Sequence, residues 1–247
     1  MVIWRGFVAS GLIVLCMFGC SDAATSSAEE TKQVVQETNV AQLLTEAQTS
    51  KKAEDLFRQG NNLLDVQRYQ EAIKVYDQAI AIKSESAETW INRGNALTSI
   101  QRYVDALDSY DKAIALQPEK DEAWYNRGNV LNALRRYKDA VTAYDKAISL
   151  KPNKYEAWIN RGIALTKLQR YKEALASYNQ AISLNPNKHE VYYNKACTYA
   201  LENNVELALE NLEMAIKLVP QKYQQLAKND PDFDKLRSDQ RFQDLIQ

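Results

Sequence analysis

The chain has 247 residues, with 31 Lys+Arg against 32 Asp+Glu and one His, so a net charge of −1 gives no global attraction to nucleic acid. A mean hydropathy of −0.49 with 26% charged residues excludes a polytopic membrane protein. Three Cys, one His and seven Gly leave no disulfide framework, no His-centred triad, no Cys or His metal cage and no Gly-rich phosphate loop. No catalytic residue, metal or cofactor is therefore expected.

In residues 1–20, Arg5 precedes an apolar run from Gly6 to Gly19, broken only by Ser10 and ending at Cys20. As a helix this run is about 21 Å long, short of a hydrocarbon core of roughly 30 Å, so it reads as a signal peptide and not as a span. Met17-Phe18-Gly19-Cys20 resembles a bacterial lipobox, in which a small residue precedes a Cys that is lipidated and becomes the mature N-terminus. Gly19 and Cys20 match that pattern, whereas Met17 and Phe18 are poor versions of it. Cleavage near Ser21-Asp22-Ala23 by an ordinary signal peptidase and an uncleaved anchor are the alternatives. The expected location is the bacterial cell envelope, lipid-anchored on the periplasmic face or soluble in the periplasm or outside.

Residues 21–52 read as a flexible or weakly helical linker. Ser21 to Ala28 is small and polar, Ser27-x-x-Glu30 fits a capping box opening a weak helix, and Val34, Val35, Leu43 and Leu44 are too sparse for a firm stripe. From residue 53 onward the chain repeats. Trp90, Trp124, Trp158 and Tyr192 lie 34 residues apart, as do Gly60, Gly94, Gly128 and Gly162, and Tyr76, Tyr110, Tyr144 and Tyr178. Segments 87–120 and 121–154 agree at 19 of 34 positions. Five units follow: 53–86, 87–120, 121–154, 155–188 and 189–222.

Within a unit the spacing is helical. Trp90, Gly94 and Leu97 share one face of a first helix, and Tyr103, Ala106, Leu107, Tyr110, Ala113 and Ile114 form the stripe of a second. Pro118 then ends the unit. Neither helix can bury its stripe alone, so neighbouring units must stack. Gly94 and Ala106 mark the closest approach of the two helices, and Ala113 leaves room for the next unit.

These residues resemble the tetratricopeptide repeat, here Trp90-x2-Arg93-Gly94-x2-Leu97…Ala106-x3-Tyr110…Pro118, over 170 of the 247 residues. The resemblance implies an all-α fold: a right-handed superhelical solenoid of five helix-turn-helix repeats, whose concave face is built mainly by the first helices. The end units drift, with Leu56 for Trp, Ala196 for Gly, and Val205 and Leu212 for Tyr. Residues 223–247 resemble the C-terminal capping helix of similar proteins, with Phe233, Leu236, Phe242, Leu245 and Ile246 covering the last seam.

Two ladders of polar residues cross the units. Arg93, Arg127, Arg161 and Lys195 stand where the family usually has Leu, and Asp77, Asp111, Asp145 and Asn179 follow the repeated Tyr. Pairing each basic residue with the preceding unit's acid predicts inter-unit salt bridges; the other reading is a track for an anionic ligand. Asn92, Asn126, Asn160 and Asn194 form the second ladder, two residues after the Trp and off the packing stripe. A carboxamide both donates and accepts, so the row suits the backbone of an extended peptide. The resemblance places it in the concave groove, with Asn95, Asn129, Tyr125 and Tyr193 beside it. The competing reading is inheritance by duplication plus hydrogen bonds between adjacent first helices.

Three smaller expectations complete the sequence. Glu54, Glu88, Glu122, Glu156 and Glu190 complement the first-helix dipoles and argue against a ligand presenting a terminal carboxylate. Cys197 reads as a packing residue. Gln67, Gln101, Arg135, Gln169 and Asn203 occupy the turn position where similar repeats often carry Gly. The expected function is a non-catalytic adaptor that binds extended peptide segments of a partner protein in the groove, tethered to a membrane through its N-terminal lipid, without nucleic acid. A structural subunit or assembly factor of an envelope complex, using convex or end surfaces, is the alternative.

Overall fold

The structure is a computed structural model that describes residues 21–247. The signal-like segment and the proposed lipidation site Cys20 lie outside the described residues. The described residues divide into two units, one ending at Thr49 and the other Ser50–Gln247. Among the described residues all regular structure is helical. Helix α1 (Ser21–Asp65) takes in the whole of the expected linker, and it is already helical six residues before the capping box read at Ser27. No Gly or Pro interrupts the sequence between Ser21 and Gln59, and Ala, Glu, Gln, Lys and Leu there favour helix. No described helix is long and apolar enough to cross a membrane.

In the second unit, the part of α1 from Ser50 pairs in sequence with α2 (Tyr69–Ile82). The further pairs are α3 (Ala87–Ser99) with α4 (Tyr103–Leu116), α5 (Asp121–Ala133) with α6 (Tyr137–Leu150), α7 (Tyr155–Lys167) with α8 (Tyr171–Leu184), and α9 (His189–Leu201) with α10 (Val205–Leu218). From α2 to α8, each second helix also packs on the next unit's first helix, which is how a solenoid buries a stripe that no single pair can cover.

Each turn is a Schellman cap. In the second repeat the Gln101 N–H donates to Thr98 O at 3.0 Å and the Arg102 N–H to Leu97 O at 2.9 Å, and the same pairing recurs in the other four. The cap residue must be left-handed, and Gln67, Gln101, Arg135, Gln169 and Asn203 all have φ of 58° to 62° without being Gly. Closest approach of the two helices falls where the small residues predict. A Cβ on Gly94 would stand 2.6 Å from the Tyr110 ring, which is itself buried, and Gly60, Gly128 and Gly162 face Tyr76, Tyr144 and Tyr178 in the same way. The repeated Trp ties each first helix to the turn before it: Trp90 Nε1–H donates to Ser84 O, Trp124 to Pro118 O and Trp158 to Pro152 O, at 2.8 to 2.9 Å.

The apolar core has a break. One cluster of buried residues runs from Ala72 to Val191, a second runs from Tyr193 to Ile246, and a small third, Ala147, Ile148 and Ala157, sits where α6 meets α7. The second cluster holds the C-terminal cap, which is three short elements and not one helix: α11 (Pro220–Asn229), a 3₁₀ helix (Pro231–Leu236) and α12 (Gln240–Ile246). Pro220 opens α11 at its first position, where a missing N–H costs nothing. Phe233, Leu236, Phe242 and Ile246 are buried as expected, while Leu245 stays half-exposed.

Candidate functional site on the first-helix face

The basic ladder is internal to the solenoid. Arg93 Nε lies 2.6 Å from Asp77 Oδ1, Arg127 Nε 2.6 Å from Asp111 Oδ1, and Arg161 Nε 2.6 Å from Asp145 Oδ1. Arg93 and Arg161 also donate to Ser109 and Ser177 on their own second helices. These guanidinium groups bridge three helices, and their acids leave no row of free charge for an anion. The pattern fails at Lys195, where Asn179 offers no charge. Burial pushes the Lys195 ammonium below its usual range, and Glu210 only partly offsets this.

The asparagine ladder is likewise engaged across units, as the competing reading had it, but not along its whole length. Asn92 Nδ2–H donates to Asn61 Oδ1 at 2.9 Å, Asn126 to Asn95 Oδ1 at 2.9 Å, and Asn160 to Asn129 Oδ1 at 2.8 Å. The same three acceptor oxygens take the hydroxyls of Tyr76, Tyr110 and Tyr144 at 2.7 to 2.9 Å. Those hydroxyls sit over buried rings, and burial raises all three phenols above their ordinary range. Asn95 and Asn129 are therefore acceptors at the centre of an inter-unit clasp, not groove contacts. The clasp exists because Asn61, Asn95 and Asn129 repeat at 34-residue spacing; the next residue in that column is Ile163. Asn194 consequently has no acceptor, and its half-buried carboxamide makes no hydrogen bond with any described residue.

A cleft of about 450 Å³ opens beside that orphaned group, walled by α7, α9 and α11. It brings together four of the residues expected from the sequence: Tyr125, Asn160, Tyr193 and Asn194. Asn92, Asn95, Asn126 and Asn129 do not line it. Asn160 has both N–H bonds engaged, the second with Tyr125 Oη at 3.2 Å, so it can offer a ligand only its Oδ1 as an acceptor. Tyr125 is half-buried beneath Lys154, whose Nζ stands 4.6 Å above its ring.

Tyr193 differs from the exposed ring the sequence suggested. It is 8% exposed, stacks on Tyr223 at 4.9 Å, and donates its hydroxyl to Asp230 Oδ2 at 2.7 Å. Burial, with the nearby Cys197 and Asp230, raises its phenol far above the normal range. Tyr193 thus forms part of the wall. Ile159, which also lines the cleft, is 7% exposed.

Sequence reasoning missed the remaining lining: Ile163, Lys188, Lys222, Tyr223 and Leu226. The available signal was the substitution of Ile163 in an Asn column. Glu156 and Glu190 were read only as helix-dipole partners, yet both line the cleft. Burial alone would raise the Glu190 carboxyl, but the helix N-terminal N–H, Lys188 and His189 outweigh it and hold it below the ordinary range. Cys197 is buried 3.7 Å from Asp230, and burial raises its thiol well above the usual value. It packs in the second core cluster, in line with the packing role read from the sequence.

The comparisons with known proteins agree with this architecture. The family described as Tetratricopeptide repeat matches residues 121–154, 155–188 and 177–216, and that described as TPR repeat matches 60–99 and 94–134. Among solved structures, YrrB, described as a TPR protein with an unusual peptide-binding site, is 29% identical over 70% of this chain and 90% of its own, with a TM-score of 0.63. The MamA protein superposes over 74% of this chain and 97% of its own at a TM-score of 0.64 and 20% identity. MamA from Desulfovibrio magneticus RS-1 does so over 68% and 94% at 0.65, also at 20% identity, a likeness of fold alone. No curated protein matches the chain.

Proposed function

The chain belongs to the tetratricopeptide repeat family, and from that premise we propose that it is a non-catalytic adaptor holding an extended segment of another protein against its first helices. One observation carries the reading: the cleft at α7, α9 and α11 combines apolar walls with the Asn194 carboxamide, which the solenoid does not use. Such a mixture suits a peptide main chain plus one side chain. The peptide-binding site of YrrB, at 29% identity, supports the same class of ligand.

Selection of a displayed random-peptide library on the protein tests it. Leu226 is 45% exposed at the mouth of the cleft, and Val104 is 68% exposed on a second helix. Enriched peptides are expected to lose binding to Leu226→Glu and to retain it with Val104→Glu. Equal binding to both variants would move the interface elsewhere. The alternative, assembly through an end surface, has one feature in its favour: a groove of about 510 Å³ lined by Glu210, Glu213 and Asp244 beside Leu209 and Leu245.

The same proposal places the protein outside the cytoplasm, lipid-anchored at Cys20, on the strength of the Arg5-to-Cys20 pattern. Metabolic labelling with a fatty-acid analogue is expected to mark the wild type and not Cys20→Ser. Equal labelling of the two would contradict the anchor.

A further inference from the structure

We propose that the α7–α9–α11 cleft is a specificity site for one bulky apolar side chain, flanked on an extended segment by one basic and one acidic residue. The inference rests on the adaptor reading above and adds the chemistry of the ligand.

Three features of the cleft converge on it. Ile159, Ile163 and Leu226 give it an apolar lining suited to a Leu- or Phe-sized group. The Asn194 carboxamide has both its donors and its acceptor free among the described residues, which fits one peptide unit of a passing main chain. The rim charges are complementary to a mixed pair. Glu156, near the start of α7, and Lys222, in the first turn of α11, form no ion pair with any described residue. Glu190 and Lys188, by contrast, form an ion pair at 3.3 Å, although the buried Glu190 Oε2 has no hydrogen-bond partner among the described residues. A carboxylate without an ion-pair partner on one wall and, on the other, an ammonium held only by the Tyr223 ring at 5.1 Å select opposite charges at the two ends of the ligand.

The spacing follows from helix packing. Neighbouring helices lie about 8–10 Å apart, so α7 to α11 spans roughly 20 Å. An extended chain rising about 3.3 Å per residue crosses this in about six residues, which sets each charge about three residues from the apolar side chain.

Ile163 has two effects here. It supplies apolar surface, and by replacing the acceptor present at Asn61, Asn95 and Asn129 it leaves Asn194 unclasped. Ile163→Asn should therefore close the site from both directions.

The test is fluorescence polarisation with labelled 12-residue Gly/Ser peptides. The first carries a central Leu, with Lys three residues to one side and Glu three residues to the other. Control peptides carry Ser for Leu, two Lys, or two Glu. The wild-type chain is expected to bind the first peptide about tenfold tighter than the Ser control, and a few-fold tighter than either like-charged control. Asn194→Ala and Ile163→Asn should each weaken it about tenfold, with the melting temperature of Asn194→Ala no lower than that of the wild type.

No binding by the wild type, no discrimination among the peptides, or unchanged affinity in both variants would each overturn the assignment. The adaptor reading survives those results if library-selected peptides still depend on Leu226, and falls with them if they do not.

Discussion

The junctions between units 2 and 3 and between units 3 and 4 share two polar devices that the junction between units 4 and 5 lacks. That last junction keeps the tie to the preceding turn, with Tyr192 Oη–H donating to Pro186 O, and adds a 2.8 Å bond between the Thr166 and Thr198 hydroxyls. At the earlier junctions an Arg meets an Asp and an Asn donates to an Asn. At the last, Lys195 meets Asn179 and Asn194 meets Ile163, and inside unit 5 Ala196 and Leu212 stand where the Gly and Tyr of the earlier units pack on each other. The buried core divides at the same place. The cleft lies there as well. A repeat that satisfies its own polar groups has none left for a ligand, so recognition arises where the pattern stops being self-complementary.

The comparison can be broken most forcefully within the regular region. Gly128→Leu drives a side chain into the Tyr144 ring, which a Cβ alone would approach to 2.6 Å. Thermal or urea unfolding should show a loss of about 1–3 kcal/mol. An unchanged midpoint would mean that this seam is looser than the geometry requires.

The next effect separates the two regions directly. Asn126→Ala removes a clasp, whereas Asn194→Ala removes nothing, and the gain in helix propensity is common to both. The first variant should be less stable than the second by about 1 kcal/mol in urea titrations. Equal midpoints would erase the distinction.

Restoring a missing acid sharpens the contrast. Asn179→Asp supplies Lys195 with the partner its Arg counterparts have, and stability should rise by up to about 1 kcal/mol, falling back at high salt. The smallest change concerns the turns, which all five repeats share. Gln101 holds φ of 60°, a conformation that costs a side-chain-bearing residue about 1–2 kcal/mol and Gly little, while Gly loses more entropy on folding. Gln101→Gly should therefore melt at or slightly above the wild-type temperature, and a clear fall would contradict the strain.

The repeat and its salt bridges were legible in the sequence because periodicity exposes them. Arg93, Arg127 and Arg161 lose their acidic partner, and become Lys195, at one and the same place, so the covariation along the chain stands in for contact. The left-handed turns were legible for the same reason. The site was legible only in part. Asn92, Asn126, Asn160 and Asn194 look alike as letters, and what separates them is the residue 31 positions earlier, reached only when helices stack. Tyr193 was misread because its ring turns inward on Tyr223 from a cap whose packing no repeat position announces. The helical state of residues 21–52 was underestimated because a sparse apolar stripe says little where propensity alone suffices.

The central claim is that Ile163 frees Asn194, and a double-mutant cycle on these two positions addresses it most directly. Urea unfolding of wild type, Asn194→Ala, Ile163→Asn and the double variant gives the cost of losing the Asn194 carboxamide in each background. The account predicts no measurable cost with Ile163 present and about 1 kcal/mol once Ile163→Asn has supplied an acceptor. The same cost in both backgrounds would show that Asn194 was never waiting for a partner.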